Sequence, residues 1–454
     1  MICEERNGAR RVLMVSPHFP PDSSAGAHRV RLLAPHLRTF GWEPTVVTVD
    51  PRDYEGQLDP RLAELVPPSL RVVRCRAWPV RWTRRCGIGD LGLRAFRNLY
   101  KVCHRLLASE HFDVLFVTLL PGYPALLGRL LKPRFGVPFV LDYQDPWVGA
   151  WGQTVGGGPS GKPDLKSRAT RHLASCFEPR AVRAADAITA VSTGTFEAIL
   201  ERNPALKHTP CTAIPLGGEA ADFDYLRNKV PANQYFDPMD GNFHLCYVGT
   251  LLPLGMETLR AFLRAISLLK KRRPEQYQRL RLHFFGTSNQ RERNAPQRVI
   301  PVAKEFEVDD RIAEVAPRID YVDALTVLTQ ASGILMMGSS EKHYTASKLY
   351  PGLHARRPIL AVYHEASSVV DILRSAGQPP NIRMITYDDV RRAESQAEAL
   401  YCELSAMLCD PEYDAAAVHM EAVAEFSAEH LAGKMAEVFN SVMQRDRSVA
   451  PVLE

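Results

Sequence analysis

Two separated segments of this chain, residues 11–50 and 246–365, share one plan: an apolar run, a glycine-bearing break and a helical pattern. In the first, Arg11-Val-Leu-Met-Val-Ser16 suits a buried parallel strand, Pro17-His-Phe-Pro-Pro-Asp22 breaks it, and Ser23-Ser-Ala-Gly-Ala27 leads into a helix starting near His28. That order places backbone N–H groups and the positive end of a helix dipole at the carboxyl edge of a sheet, where a phosphate can sit. A tight strand-to-helix turn without a ligand has the same pattern.

Between residues 11 and 215, apolar runs at Arg11–Ser16, Glu43–Val49, Leu70–Cys75, Asp113–Thr118, Phe139–Asp142 and Ala187–Val191 alternate with helical patterns. Such alternation predicts right-handed crossovers and a mainly parallel sheet. A second series follows: Phe243–Gly249, an amphipathic helix over Met256–Lys271, then Leu280–Gly286, Ile312–Ala316, Gly333–Met337 and Pro358–Val362. The Asp-, Asn- and Pro-rich stretch 217–242 is expected to link the two series, and residues 413–454 to form a C-terminal helix that packs back on the first. At 454 residues the chain exceeds what one hydrophobic core serves, so two domains, 1–216 and 243–412, are expected.

The glycine-rich stretch Trp151–Pro163 contains Gly156-x-x-x-x-Gly161-Lys162, a superficial P-loop. Pro163 stands where a magnesium-ligating Ser or Thr would be needed, and no strand leads in, so a mobile lid is the better reading. The start of the chain lacks an apolar signal core, and runs such as Val114–Leu120 fall short of the roughly 18 residues that span a bilayer. A cytoplasmic location is expected. The cysteines at 3, 75, 86, 103, 176, 211, 246, 402 and 409 form no C-x-x-C pair, which argues for reduced thiols and no structural metal.

The net charge of +5 is modest, but residues 71–105 concentrate Arg71, Arg74, Arg76, Arg81, Arg84, Arg85, Arg94, Arg97, Lys101 and Arg105 among Trp78, Trp82, Phe96 and Tyr100. This stretch reads either as a solvated face or as a surface for the inner membrane, giving a peripheral location at its cytoplasmic side. No nucleic-acid motif accompanies it.

Several blocks resemble the nucleotide-sugar glycosyltransferases of the GT-B fold, in particular their retaining, family-4-like branch. They are Phe19-Pro-Pro-Asp22 with the loop through Gly26, Phe40-Gly41-Trp42, Gly136-Val-Pro-Phe-Val-Leu-Asp142-Tyr-Gln-Asp145-Pro-Trp147, Glu178–Ser192, Tyr247-Val-Gly249-Thr-Leu, and Ser347-Lys348-Leu-Tyr350 through Ala361. The resemblance implies an α/β GT-B architecture, with two Rossmann-like parallel-sheet domains facing a central cleft. Residues 1–216 would face the acceptor and 243–412 would bind the donor.

It further implies retention of anomeric configuration, no cofactor and no metal, a nucleotide-sugar donor and a glycan or lipid-linked acceptor in polysaccharide or glycoconjugate biosynthesis. Asp145 becomes the expected catalytic acid, with Asp142 as the alternative. Gly249, Thr250, Ser347, Lys348, Leu349 and Tyr350 are expected around the donor, Lys348 offsetting the leaving diphosphate. Ser24, Gly26, Ala27 and His28 are expected to form the acceptor or phosphate loop, with Arg29 beside them.

The chain departs from the family pattern after Gly249, where Thr250-Leu-Leu-Pro-Leu-Gly255 carries no cation. Pro351 and His343 stand where the family has glutamates, and Glu341, His364 and Glu365 are candidate replacements. Two other readings therefore remain: a non-catalytic GT-B-like protein that binds a glycan or a partner, and a nucleotide-sugar epimerase.

Overall fold

The computed structural model describes residues 8–148, 165–251, 253–288, 290, 294–338 and 348–449. The chain divides into two compact units, residues 1–217 with 428–454 and residues 218–427. Each is built on a wholly parallel sheet.

Among the described residues, the first unit holds β1 (Arg10–Val15), β2 (Trp42–Val49), β3 (Arg71–Cys75), β4 (Val114–Leu119), β5 (Phe139–Tyr143), β6 (Ala187–Ala190) and β7 (Cys211–Ala213). Their order is β3-β2-β1-β4-β5-β6-β7. Val12 lies beside Pro44 on one side and Val114 on the other. β4, β5 and β6 are buried at every position, which is why they read as unbroken apolar runs. β7 escaped the sequence reading because Cys-Thr-Ala is short, half-buried and carries no such run.

The C-terminal helix, Ala428–Val449, belongs to this unit. Phe439 meets Trp42 and Phe116 edge-on at centroid distances of 5.2 and 5.8 Å, and Trp42 Nε1 donates to Asn440 Oδ1 at 3.2 Å. Residues 413–427, expected to be helical, instead form the short 3-10 turns Ala415–Ala417 and Met420–Phe426 in the second unit. Two 2.8 Å hydrogen bonds between Asn381 and the Asp414 backbone hold that stretch, and this tertiary clamp overrides its Ala- and Glu-rich helix propensity.

The second unit contains β8 (Phe243–Val248), β9 (Leu280–Phe285), β10 (Ile312–Val315), β11 (Gly333–Met337), β12 (Ile359–His364) and β13 (Ile382–Tyr387) among its described residues. They are ordered β10-β9-β8-β11-β12-β13. The helix Met256–Arg272 buries Leu259, Phe262, Leu263, Ile266 and Leu269 on the face its sequence pattern marks. The stretch 217–242, expected as a linker, carries the helix Ala220–Lys229 and belongs to this unit from Gly218 onward. Glu219 caps that helix, and buried Asp222 accepts a 2.7 Å hydrogen bond from Tyr321, so its polar residues serve packing.

Under the same unit, Phe236 stacks on His244 and His283, each at 4.6 Å, and the two imidazoles are hydrogen-bonded at 2.9 Å. Burial pushes His283 down to about 4. The unfolded chain binds that proton near the ordinary value of about 6.5, so stability is lost as pH falls from there toward 4. The urea midpoint of this unit should decline over that window, and His283→Gln should flatten the decline. An unchanged slope in the variant would show that other groups carry it.

Candidate functional site

In open α/β sheets ligands settle outside the carboxyl ends of strands where strand order reverses. The first sheet reverses between β1 and β4, the second between β8 and β11.

At the first reversal the loop after β1 meets the loop after β4. A Cβ on Gly26 would lie 3.2 Å from Leu120 Cδ2 and 3.3 Å from the Leu120 carbonyl oxygen, so a small residue is needed there. His18 Nδ1 lies 2.5 Å from Asp22 Oδ2. Buried Asp22 also accepts the Ser24 hydroxyl at 2.5 Å and the Ser24 N–H at 3.2 Å. Burial alone would raise the Asp22 carboxyl, but the hydrogen bonds from His18 and Ser24 hold it below its usual range. The Tyr54 ring stacks on His18 at 5.8 Å, and the Tyr54 hydroxyl donates to the Pro17 carbonyl at 3.0 Å. Asp90, at the start of the helix Leu91–Ser109, caps it through the Leu93 N–H at 2.8 Å. Burial raises the Asp90 carboxyl, opposed in part by that hydrogen bond and by nearby His18.

His18 and Asp22 were not singled out as site residues in the sequence, where Pro17–Asp22 served as a strand breaker and Phe19–Asp22 as part of a family block. The available signal was a His and an Asp four residues apart in a loop ending a buried strand.

The loop Ser24–His28, expected to hold an acceptor or a phosphate, is bonded within itself. Ser24 is committed to Asp22, while the N–H groups of Ala27 and His28 bond the carbonyls of Ser24 and Ala25 at 3.1 and 3.2 Å. These donors are satisfied within their own turn. Arg29 and Asp142 are both buried and joined by 2.7 and 3.1 Å hydrogen bonds. Arg29 additionally reaches the carbonyls of Ile214 and Pro215, and Thr189 donates to Asp142 at 2.7 Å. This network is structural.

Asp145 stands differently. It follows β5, is exposed, has no hydrogen-bond or ion-pair partner among the described residues, and partial desolvation raises its carboxyl. Trp147 anchors the turn: a Cβ on Gly122 would strike its ring at 2.5 Å, and Tyr123 meets it edge-on at 5.5 Å. The glycine-rich stretch Trp151–Pro163, expected as a lid, lies outside the described residues.

At the second reversal Gly249 has φ +140°, and a Cβ there would fall 1.9 Å from Lys348 Cε. Glycine therefore both adopts the backbone and admits the lysine. Lys348 Nζ donates to the Tyr247 hydroxyl at 3.2 Å and lies 4.7 Å from its ring centroid; that hydroxyl donates onward to the Thr250 carbonyl at 3.2 Å. Burial pushes the Tyr247 phenol up, keeping it neutral.

The helix Leu349–His354 starts after Lys348, with Pro351 in its first turn where a missing N–H is tolerated. Leu349 and Tyr350, expected around the donor, open this helix. Both side chains are buried, the Tyr350 ring stacking on His354 at 4.1 Å and closing against Gly218. The N–H groups of Gly249 and Leu251 bond the carbonyls of Phe285 and Thr287 at 2.8 and 2.9 Å.

Ser347, Glu341 and His343 lie outside the described residues. His364 is buried against Tyr387 with Nε2 lacking a hydrogen bond among the described residues, and Glu365 pairs with Arg391 at 3.3 Å. Among the described residues no cluster of three or more His, Cys, Asp or Glu is placed to hold a metal.

Much of the basic stretch 71–105 is spent within the fold: Arg71 on Glu110, Arg76 on Asp53, Arg84 on Glu55, and buried Arg94 on the Trp78 carbonyl. Trp78 and Trp82 remain 53% and 55% exposed, with Arg81 and Arg85 over the Trp82 ring. Among the described residues no helix is long and apolar enough to cross a membrane.

Residues 24–217 match the model of the glycosyl transferase 4-like domain. This part of the chain is a glycosyl transferase 4-like domain, and the whole chain has the GT-B fold. Its fold is similar along nearly its whole length to the α,α-trehalose 6-phosphate synthase of Burkholderia multivorans, with TM-score 0.53, 10% identity, and 98% of this chain and 99% of that one covered. The UDP-forming synthase of Burkholderia xenovorans matches at TM-score 0.52 and 11% identity, covering 97% and 99%. The N-terminal domain of Candida albicans trehalose-6-phosphate phosphatase gives 0.52 at 12% identity, covering 95% and 97%. No curated protein sequence matches the chain.

The carboxylates of this glycosyltransferase should separate by their partners. Arg29→Ala leaves Asp142 buried and unpaired and should cost about 3–5 kcal/mol in urea titrations. Asp145→Asn, at an exposed position, should stay within about 0.5 kcal/mol of the parent. Equal losses would contradict the structural assignment of the Arg29–Asp142 pair.

Proposed function

We propose that this glycosyltransferase moves a sugar from a nucleotide-sugar to a hydroxyl of a glycan or lipid-linked acceptor, retaining anomeric configuration and using no metal. The contact of Lys348 with Gly249 at the second sheet reversal carries this reading. A cation at this reversal supports the reading, because the carboxyl ends of strands at such a reversal favour nucleotide binding. Lys348 offsets charge on the leaving diphosphate, and Asp145 stabilises positive charge beside the anomeric carbon. The UDP-forming neighbour makes a uridine donor the first to try. Retention, and a place in polysaccharide or glycoconjugate assembly, follow from the resemblance to the retaining branch.

Binding and hydrolysis should be measured with UDP-, GDP-, ADP- and dTDP-sugars, using the parent, Lys348→Ala and Asp145→Asn. Lys348→Ala should weaken donor binding at least about tenfold, whereas Asp145→Asn should bind normally and lose turnover. No binding of any donor by the parent would instead favour a non-catalytic glycan- or partner-binding role, which the absence of a cation after Gly249 also fits.

The acceptor is proposed to be presented at the cytoplasmic face of the inner membrane. Exposed Trp78 and Trp82, beside Arg81 and Arg85, match an interface of apolar chains and anionic headgroups. The protein should float with phosphatidylserine-containing vesicles and not with phosphatidylcholine alone, and Trp78→Ser/Trp82→Ser should abolish this. Equal flotation of parent and double variant would remove the membrane assignment.

A further inference from the structure

We infer that the second unit carries a separate binding site for a small organic phosphate, in a cavity lined by Arg227, Arg356 and Arg357. The cavity measures about 420 Å³ and lies among the C-terminal ends of the helices Ala220–Lys229, Tyr321–Gln330 and Leu349–His354. Arg357 and Pro358 lead from it into β12, so it sits at the amino edge of the sheet. Lys348 precedes the first residue of the helix Leu349–His354 and the cavity meets the last, which separates the two.

The charge in this cavity is not balanced by the fold. Three arginines line it and no Asp or Glu does. Arg227 is paired with Asp224 of its own helix. Arg356 makes no ion pair or side-chain hydrogen bond among the described residues, and Arg357 uses only Nε, on the Thr329 carbonyl at 2.8 Å. Arginine near a helix C-terminus commonly bonds a carbonyl in this way, but the bond leaves both Arg357 Nη groups without a partner among the described residues. Burial lowers the Arg357 guanidinium, and no neighbouring acid counters it. A half-buried cation lacking a counter-ion is costly, and an oxyanion in the cavity offsets that cost.

The backbone points to the same place. Three non-glycine residues among those described have positive φ, and two of them, Val230 at +43° and Arg356 at +54°, line this cavity. Such a backbone is unfavourable for any residue with a Cβ and most of all for a β-branched valine, and strain of this kind gathers at binding sites.

Two uncompensated guanidinium groups match the charge of about −1.5 to −2 on a phosphate monoester better than the single charge of a carboxylate. Phe223, Leu226 and Val230 give the ligand's organic part an apolar wall. His354 adds no charge: it is stacked between Phe223 at 5.4 Å and Tyr350 at 4.1 Å, and burial together with Arg356 and Arg227 pushes its imidazole down to about 4.

Calorimetric titration of the full chain with phenyl phosphate, inorganic phosphate and phenol reads the anionic and apolar parts of the site separately. Phenyl phosphate should bind at least about tenfold more tightly than inorganic phosphate, and phenol should give no measurable heat. Arg356→Gln and Arg357→Gln should each weaken phenyl phosphate at least about tenfold, whereas Lys348→Ala should leave its affinity within about twofold. Arg356 is exposed, so its variant keeps the fold and decides the matter if Arg357→Gln melts early. Equal affinity for the two phosphates, or binding that Lys348→Ala removes and the arginine variants do not, overturns the site. A chain that binds no phosphate probe overturns it and leaves the transferase reading standing, while a chain that binds phenyl phosphate through the arginines and no sugar nucleotide overturns the transferase alone.

Discussion

The first unit depends on one buried cation. Arg29, in the helix Gly26–Leu33, bonds Asp142 on β5 and the carbonyls of Ile214 and Pro215 beyond β7. An ion pair taken out of water gains little by existing, but breaking it strands a charge in the core. The helix after β1 therefore cannot slide along the sheet without that penalty. The arrangement fixes the loop that carries His18 and Asp22 at its start, and the end of β5 that leads to Asp145.

Above this anchor the ionisable groups divide by burial. Arg29, Asp142 and Asp22 are enclosed and fully bonded, while His18 and Asp145 are open at the carboxyl edge of the same sheet. Buried members set orientation, and open ones can meet a reactant. The second unit repeats the principle with a different residue: buried Tyr247 supports Lys348, and Gly249 makes room for it. A larger residue at 249 would displace the Lys348 side chain.

Legibility in the sequence followed the strength of the physical signal. Strands buried on both faces, such as Val114–Leu119 and Gly333–Met337, announced themselves as apolar runs, and the blocks around Gly26, Asp142 and Lys348 sufficed to recognise the family. β7 and β13 were missed because short or edge strands lack such runs. The helix over Ala220–Lys229 was hidden by polar residues that act as caps and buried hydrogen-bond partners. At the site, a residue type could be read but not its partner. Asp142 and Asp145 lie three residues apart and look equivalent, yet one is locked to Arg29 and the other faces solvent.

The sequence by itself determined that two parallel α/β units follow one another and where most strands begin, since periodicity and glycine placement are local properties; it was the family resemblance that grouped Gly249 with Lys348. Only the tertiary structure decided which polar groups are spent and which are open. It consumed the N–H groups of Ala27, His28, Gly249 and Leu251, buried Leu349 and Tyr350, and paired His18 with Asp22. Hydrogen-bond partnership and burial join residues far apart in the chain, and no local pattern encodes them.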